Sequence, residues 1–141
     1  MNGKSELYQS LILDHNRTPR NYHAMEQPDR TAEGYNPMCG DQLTLWLKLD
    51  GDRISDVSFQ GNGCAISRAS ASLMTTAVKG HTRAEALEMF DGFHRLITGD
   101  QASEGAPLPP KLAAFARVSE YPSRVKCAGL AWHALRNALK D

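Results

Sequence analysis

The stretch LTLWLKLDGDRISDVSFQ, residues 43–60, decides the fold class of this chain. Asp50-Gly51 at its centre is a two-residue hairpin signal, so the flanking segments are expected to form two antiparallel strands. The first segment alternates leucine with more polar types, which is the pattern of a strand with one buried face. Its inward residues would be Leu43, Leu45, Leu47 and Leu49.

The return strand, over about residues 53–60, carries Val57 and Phe59 on one face. Ile54 is out of phase with these two residues. The pattern therefore predicts that this end of the strand either bulges or lies against Trp46.

Helical patterns lie on both sides of the hairpin. Apolar spacing predicts helices over about residues 5–16 and 65–79. Thr82-Arg83-Ala84-Glu85 is a capping box that opens a helix to about residue 98, and Pro122 suits the first turn of a last helix to about residue 140. A short helix is expected over residues 111–118, with irregular chain over residues 17–34 and 99–110. This order predicts an α+β domain.

Length and composition describe one ordinary globular domain. The chain has 141 residues, of which 41% are hydrophobic, and its 16 basic and 16 acidic residues cancel. This balance gives no field that would attract nucleic acid or an anionic membrane, and no apolar run approaches the roughly 20 residues of a membrane span. No apolar segment follows the first lysine, so we expect no signal peptide and, for a bacterial protein, a cytoplasmic location. A monomer is the default expectation.

The chain has three cysteines, each near the end of a predicted element. Cys39 precedes the first strand, Cys64 lies where the second strand meets a helix, and Cys127 lies in the second turn of the last helix. An odd number of distant cysteines does not indicate disulfides in a reducing compartment. They could be buried apolar side chains, metal ligands or reactive thiols.

Asp41 follows Cys39 after one glycine and adds a carboxylate to the three thiols. Tetrahedral zinc accepts sulfur and carboxylate oxygen, and the same donors could hold the iron of an iron–sulfur cluster. The chain has no Cys-x-x-Cys pair, so spacing alone leaves open whether these four residues meet.

Four segments together resemble the IscU-like (NifU N-terminal-like) family of iron–sulfur cluster assembly proteins, and specifically its SufU branch. They are LILDHNRTPRN (residues 11–21), NPMCGD (36–41), GNGCAISRASAS (61–72) and RVKCAGLAWHAL (124–135). The resemblance spans nearly the whole chain. It implies one domain over residues 1–141, with a small three-stranded antiparallel sheet packed against helices. It also implies that residues from about 99 to 118 form an insertion typical of the SufU branch.

The resemblance also implies a site and an activity. Cys39, Asp41, Cys64 and Cys127 would form one metal site at the edge of the sheet, with zinc as the metal. The protein would accept persulfide sulfur from a SufS-type cysteine desulfurase and pass it to downstream Suf assembly proteins. Cys39 is assigned as the acceptor by analogy, because its loop can swing whereas helices fix the other two cysteines. Whether such a zinc-dependent sulfurtransferase-like accessory counts as an enzyme is left open.

The family offers an alternative, a scaffold that binds iron and assembles and transfers a [2Fe–2S] cluster. Scaffold members resemble one another in having a histidine directly before the last cysteine, where this chain has Lys126. A charged lysine is a poor metal ligand, which favours the sulfur acceptor. The segment LPPK, residues 108–111, looks like the scaffold proteins' chaperone-binding motif but lies too early in the chain, so that chaperone is not predicted.

Other readings are a structural zinc site, or a thiol hydrolase with Cys39 as its nucleophile, which no Cys/His signature supports. His133 is expected to be a half-exposed helix residue, and His15 and His23 capping or surface groups. Ser67, Ser70 and Ser72 are expected to serve helix packing, and Arg124 to be solvated.

Overall fold

A computed structural model describes residues 3–99 and 108–140 of the chain. A helix precedes three strands, and helices follow them, which confirms the α+β class. The elements are α1 (Gly3–Arg17), β1 (Arg30–Asn36), β2 (Asp41–Asp50), β3 (Arg53–Asn62), α2 (Ala65–Val78), α3 (Arg83–Thr98), a 3₁₀ helix (Pro110–Glu120) and α4 (Pro122–Leu139).

The sheet has three antiparallel strands in the order β1-β2-β3. Leu45 of β2 is paired with Phe59 of β3, so the alternating apolar residues of the hairpin share one buried face. The register shifts between Lys48 and Leu49, and Leu49 is paired with Ile54. This irregularity explains how Ile54 is buried although it is out of phase, and it agrees with the first of the two predicted alternatives.

Strand β1 corrects one prediction, because residues 17–34 were expected to be irregular. The segment RTAEGYN has no apolar alternation that would indicate a strand. It is a strand because its backbone pairs with β2 and because Gly34 lets it lie against α4, where an added Cβ would be 3.1 Å from Leu130 Cγ. Tertiary contacts therefore override the weak local preference.

The core lies between the inner face of the sheet and the helices that cover it. Trp132 of α4 stacks on Phe93 of α3, with ring centroids 4.7 Å apart, and both side chains are almost fully buried. Ser70 of α2 donates a 2.6 Å hydrogen bond to the Ala128 carbonyl of α4, so α2 and α4 approach closely. The serines of α2 serve packing, as predicted.

The helix signals are confirmed where the structure describes them. Thr82 Oγ1 accepts from the Glu85 N–H at 3.1 Å, and Glu85 Oε1 accepts from the Thr82 N–H at 2.8 Å, which is the predicted capping box. The short helix predicted over residues 111–118 is the 3₁₀ helix. Of the predicted loop over 99–110, residues 100–107 lie outside the described residues. Within residues 3–99 and 108–140, no helix combines the length and apolar character needed to cross a membrane.

Candidate metal centre

Three segments that are distant in sequence meet at the rim of the sheet where β2 begins. The β1–β2 turn, residues 37–40, carries Cys39, and Asp41 is the first residue of β2. The β3–α2 junction contributes Cys64, and α4 contributes Cys127 from its second turn. Asp41 and Cys127 are buried at this rim, Cys64 is partly exposed and Cys39 is exposed.

Three of the four predicted ligands form one cluster. The ligand atoms of Cys39, Asp41 and Cys127 all lie within 4.8 Å of one another. The Cys127 thiol donates to Cys39 Sγ at 3.3 Å. Two thiolates on one tetrahedral zinc would lie about 3.8 Å apart, since each Zn–S bond is about 2.3 Å long. The cluster therefore has nearly the dimensions of a zinc site, and the donor types fit zinc.

Cys64 lies beside this cluster and is joined to it through Asp41. Its backbone N–H donates to Asp41 Oδ1 at 2.8 Å, and its thiol lies 3.9 Å from Asp41 Oδ2. Cys64 is also the N-cap of α2, where its Sγ accepts from the Ser67 N–H at 3.4 Å. The start of the helix therefore fixes the position of Cys64 beside Asp41.

Asp41 is fully buried, and two glycines make its position possible. Gly40 has φ 71°, a left-handed conformation that lets the turn reverse between Cys39 and Asp41. A Cβ on Gly63 would lie 2.6 Å from Asp41 Oδ1, so a side chain there would collide with the carboxylate. Gly40 and Gly63 thus leave room for the buried carboxylate of Asp41.

Cys127 is 3% exposed, and burial raises the pKa of its thiol well above the usual range. Hydrogen bonds with Cys39, Asp41 and Cys64 raise this pKa further, because they favour the protonated thiol. Such a group of thiols and a carboxylate can be ionised together only when a cation offsets the charge. The electrostatics of the site therefore fit a metal ion.

Asn36 is a residue of the site that the sequence analysis missed. Its side chain is 6% exposed, its Nδ2 lies 4.0 Å from Cys127 Sγ, and its Oδ1 accepts from the Met38 N–H at 3.2 Å. It thus ties the β1–β2 turn to α4. An asparagine directly before a proline is a turn signal, and this signal could have pointed to it.

The histidines lie outside this cluster. His133 is half-buried against Phe90 and His94, in line with the expectation that it is not a ligand. The prediction that His15 is a capping or surface group is wrong, because His15 is 3% exposed and its Nδ1 lies 2.7 Å from Ser72 Oγ. Burial, followed by the charge of Arg20, lowers the pKa of His15.

An antiparallel sheet with two thiols and a carboxylate clustered at its rim defines a small α+β domain with a candidate metal site. Residues 7–141 match the family described as "NifU-like N terminal domain". The chain belongs to this family, which confirms the family predicted from the four sequence segments.

The chain is similar to relatives with different names. One is "Zinc-dependent sulfurtransferase SufU" of Bacillus subtilis (strain 168), 40% identical over 133 residues, which cover 94% of this chain and 89% of the relative. Another is "Iron-sulfur cluster assembly scaffold protein IscU" of Streptococcus pyogenes serotype M1, 38% identical over 136 residues, which cover 96% and 84%. The crystal structure of FiSufU from Fervidobacterium islandicum AW-1 superposes with a TM-score of 0.84 at 38% identity, covering 98% of this chain and 100% of that one.

Proposed function

We propose that the chain is a zinc-holding sulfur acceptor in iron–sulfur cluster assembly, which takes sulfur from the persulfide of a SufS-type cysteine desulfurase. One observation carries the proposal: the cluster has one exposed thiol, Cys39, beside a buried thiol and a buried carboxylate. The relative named a zinc-dependent sulfurtransferase supports it.

Cys39, Asp41, Cys64 and Cys127 would hold the zinc, which when bound keeps the thiols deprotonated. Asp41 is fixed by β2 and by the Cys64 N–H, and Cys127 is buried in α4. These residues can keep their places while Cys39 exchanges partners. Cys39 lies in a turn between strands and is exposed, so a partner protein can reach its sulfur.

The transfer step follows from the position of Cys39. Its thiolate attacks the outer sulfur of the partner's cysteine persulfide, and a new S–S bond forms on Cys39. The partner's S–S bond breaks, and its cysteine leaves as a thiolate with the bonding electron pair. The sulfur atom then remains on Cys39 as a persulfide for a downstream Suf assembly protein.

The second candidate is a scaffold for a [2Fe–2S] cluster. The relative named a scaffold supports it, and three thiols and a carboxylate are also suitable iron ligands. Lys126 favours the sulfur acceptor, because it supplies no ligand in place of the histidine of scaffold members.

The test combines metal analysis with detection of the persulfide. Protein purified without added metal is expected to hold about one zinc per chain. With desulfurase and cysteine, mass spectrometry should find one extra sulfur on Cys39. Cys39→Ala should accept none while keeping part of its zinc. The matched control is Tyr35→Ala, which alters an exposed residue of β1 close to the turn. Sulfur acceptance by Cys39→Ala at the wild-type rate refutes the assignment. Iron with acid-labile sulfide instead of zinc favours the scaffold.

We further propose that residues 1–141 form one domain in which residues from about 99 to 118 are the SufU-type insertion. Phe115 of the 3₁₀ helix supports this, because it contacts Tyr8 of α1 and Phe93 of α3, with centroid distances of 5.8 and 5.6 Å. A cytoplasmic location and a monomeric state stay predictions, and light scattering measures the latter.

A further inference from the structure

A small cavity opens beside Cys39, on the side of the turn that faces α4. It encloses about 150 Å³ between the β1–β2 turn and the first two turns of α4. Most of its surface is apolar, and Lys126 brings a cationic side chain to it. The lining residues are Asn36, Met38, Cys39, Pro122, Ser123 and Lys126.

Lys126 extends over the turn toward sulfur. Its Nζ lies 3.7 Å from Met38 Sδ, in the residue directly before Cys39. Within residues 3–99 and 108–140, no carboxylate forms an ion pair with this ammonium. Lys126 also directly precedes Cys127, whose Sγ contacts Cys39 Sγ at 3.3 Å. Helix α4 thus anchors the base of a flexible cation beside the exposed thiol.

We propose that Lys126 binds the outer sulfur of the Cys39 persulfide within this cavity and stabilises its negative charge. The inference rests on the proposed function, in which Cys39 becomes a persulfide. The step itself adds one outer sulfur to Cys39 and releases the donor's thiolate. The added sulfur carries the negative charge.

The cavity and the cation suit this anion for separate reasons. A persulfide extends the cysteine side chain by one large, polarisable atom, for which Met38 and Pro122 offer an apolar wall. An ammonium on a flexible four-carbon stem can follow the outer sulfur as Cys39 moves. Lys126 therefore stabilises the persulfide that transfer forms on Cys39 and is not a metal ligand.

The test loads the zinc-bound protein with chemically prepared cysteine persulfide, without a desulfurase. The measured quantity is the equilibrium fraction of Cys39 carrying one extra sulfur, obtained by alkylation and mass spectrometry. Lys126→Gln removes the charge and keeps a polar side chain, and Lys126→Arg keeps the charge. The control is Lys48→Gln, an exposed lysine on β2 about 23 Å along the strand from Asp41.

Lys126→Gln should lower the equilibrium constant about fivefold, which is the upper end of the range for a solvent-exposed charge pair. Lys126→Arg should restore most of it, and Lys48→Gln should match wild type. Raising salt from about 0.1 to about 1 M should weaken loading of wild type and leave Lys126→Gln unchanged, because salt screens the charge. Zinc content should be equal in all four proteins.

The inference is overturned if Lys126→Gln loads sulfur to the same extent as wild type and with the same salt dependence. Loss of zinc from Lys126→Gln, or loading of Lys126→Arg as low as that of Lys126→Gln, would also overturn it. A wild-type protein that loads from cysteine persulfide but not from a desulfurase refutes the proposed function, and the comparison of Lys126→Gln with Lys126→Arg then decides the role of Lys126 separately. Failure of wild type to load from either donor refutes both.

Discussion

Gly63→Ala tests whether the buried carboxylate organises the metal site. The new Cβ would lie 2.6 Å from Asp41 Oδ1 and 3.2 Å from Asp41 Cγ, so the carboxylate must move. Asp41 is fully buried and accepts from the Cys64 N–H at 2.8 Å, and this movement breaks that charge-assisted hydrogen bond. A hydrogen bond to a charged group contributes about 1.5–3 kcal/mol, so the free energy of unfolding should fall by that amount. For a chain of this length, this corresponds to a loss of about 5–10 °C in melting temperature.

Gly63→Ala should weaken zinc binding as well as stability, whereas a substitution that strains the fold elsewhere should lower stability alone. Displacing a ligand from its supporting hydrogen bond typically costs about 10–100-fold in metal affinity. Competition with a chromophoric chelator measures this affinity, and thermal unfolding of the metal-free protein measures stability. Gly51→Ala is the matched control, because it strains a turn with φ 62° at the far end of the hairpin. It should lower stability by about 1 kcal/mol and leave zinc affinity unchanged. Equal zinc affinity in Gly63→Ala and wild type would refute the reasoning.

Three further changes test other parts of the structure. Asn36→Ala should lower zinc affinity about tenfold, because it frees the turn from α4, and an unchanged chelator titration contradicts this. Burial lowers the folded-state pKa of His15, so the unfolded chain takes up the proton first as pH falls below about 6.5, and stability is lost from there downward. Between about pH 8 and about pH 5.5, the free energy of unfolding of His15→Gln, measured with urea, should therefore fall less than that of wild type. Equal falls in the two proteins would contradict this. Phe93→Ala should cost about 3–5 kcal/mol, because Phe93 is fully buried against Trp132, and a urea midpoint close to that of wild type would show that this contact is weak.

Local patterns in the sequence predicted most elements of the fold. The hairpin follows from two-residue alternation around Asp50-Gly51, and α3 follows from the capping box at Thr82. The alternating residues and the capping residues lie within a few positions of the strand or helix that they specify. Strand β1 lacks such a signal, because its pairing with β2 and its contact with Leu130 decide its conformation.

Burial of polar residues could not be predicted in the same way. His15 lies on a helix whose sequence marks it as polar, yet its partner Ser72 is 57 residues away. Asn36 was missed for the same reason, since Cys127 is 91 residues further along the chain. A polar side chain is buried where a partner satisfies it, and only the packed structure brings the partner there.

The sequence by itself determined the α+β class, the family and the four candidate ligands, because strand period, caps and motif residues are local properties. Only the tertiary structure decided that Cys39 and Cys127, 88 residues apart, lie 3.3 Å from each other with one exposed and one buried. It also decided that Asp41 joins Cys64 to this pair. These distances depend on how α4 packs against β1 and α2, and no short stretch of sequence encodes that packing.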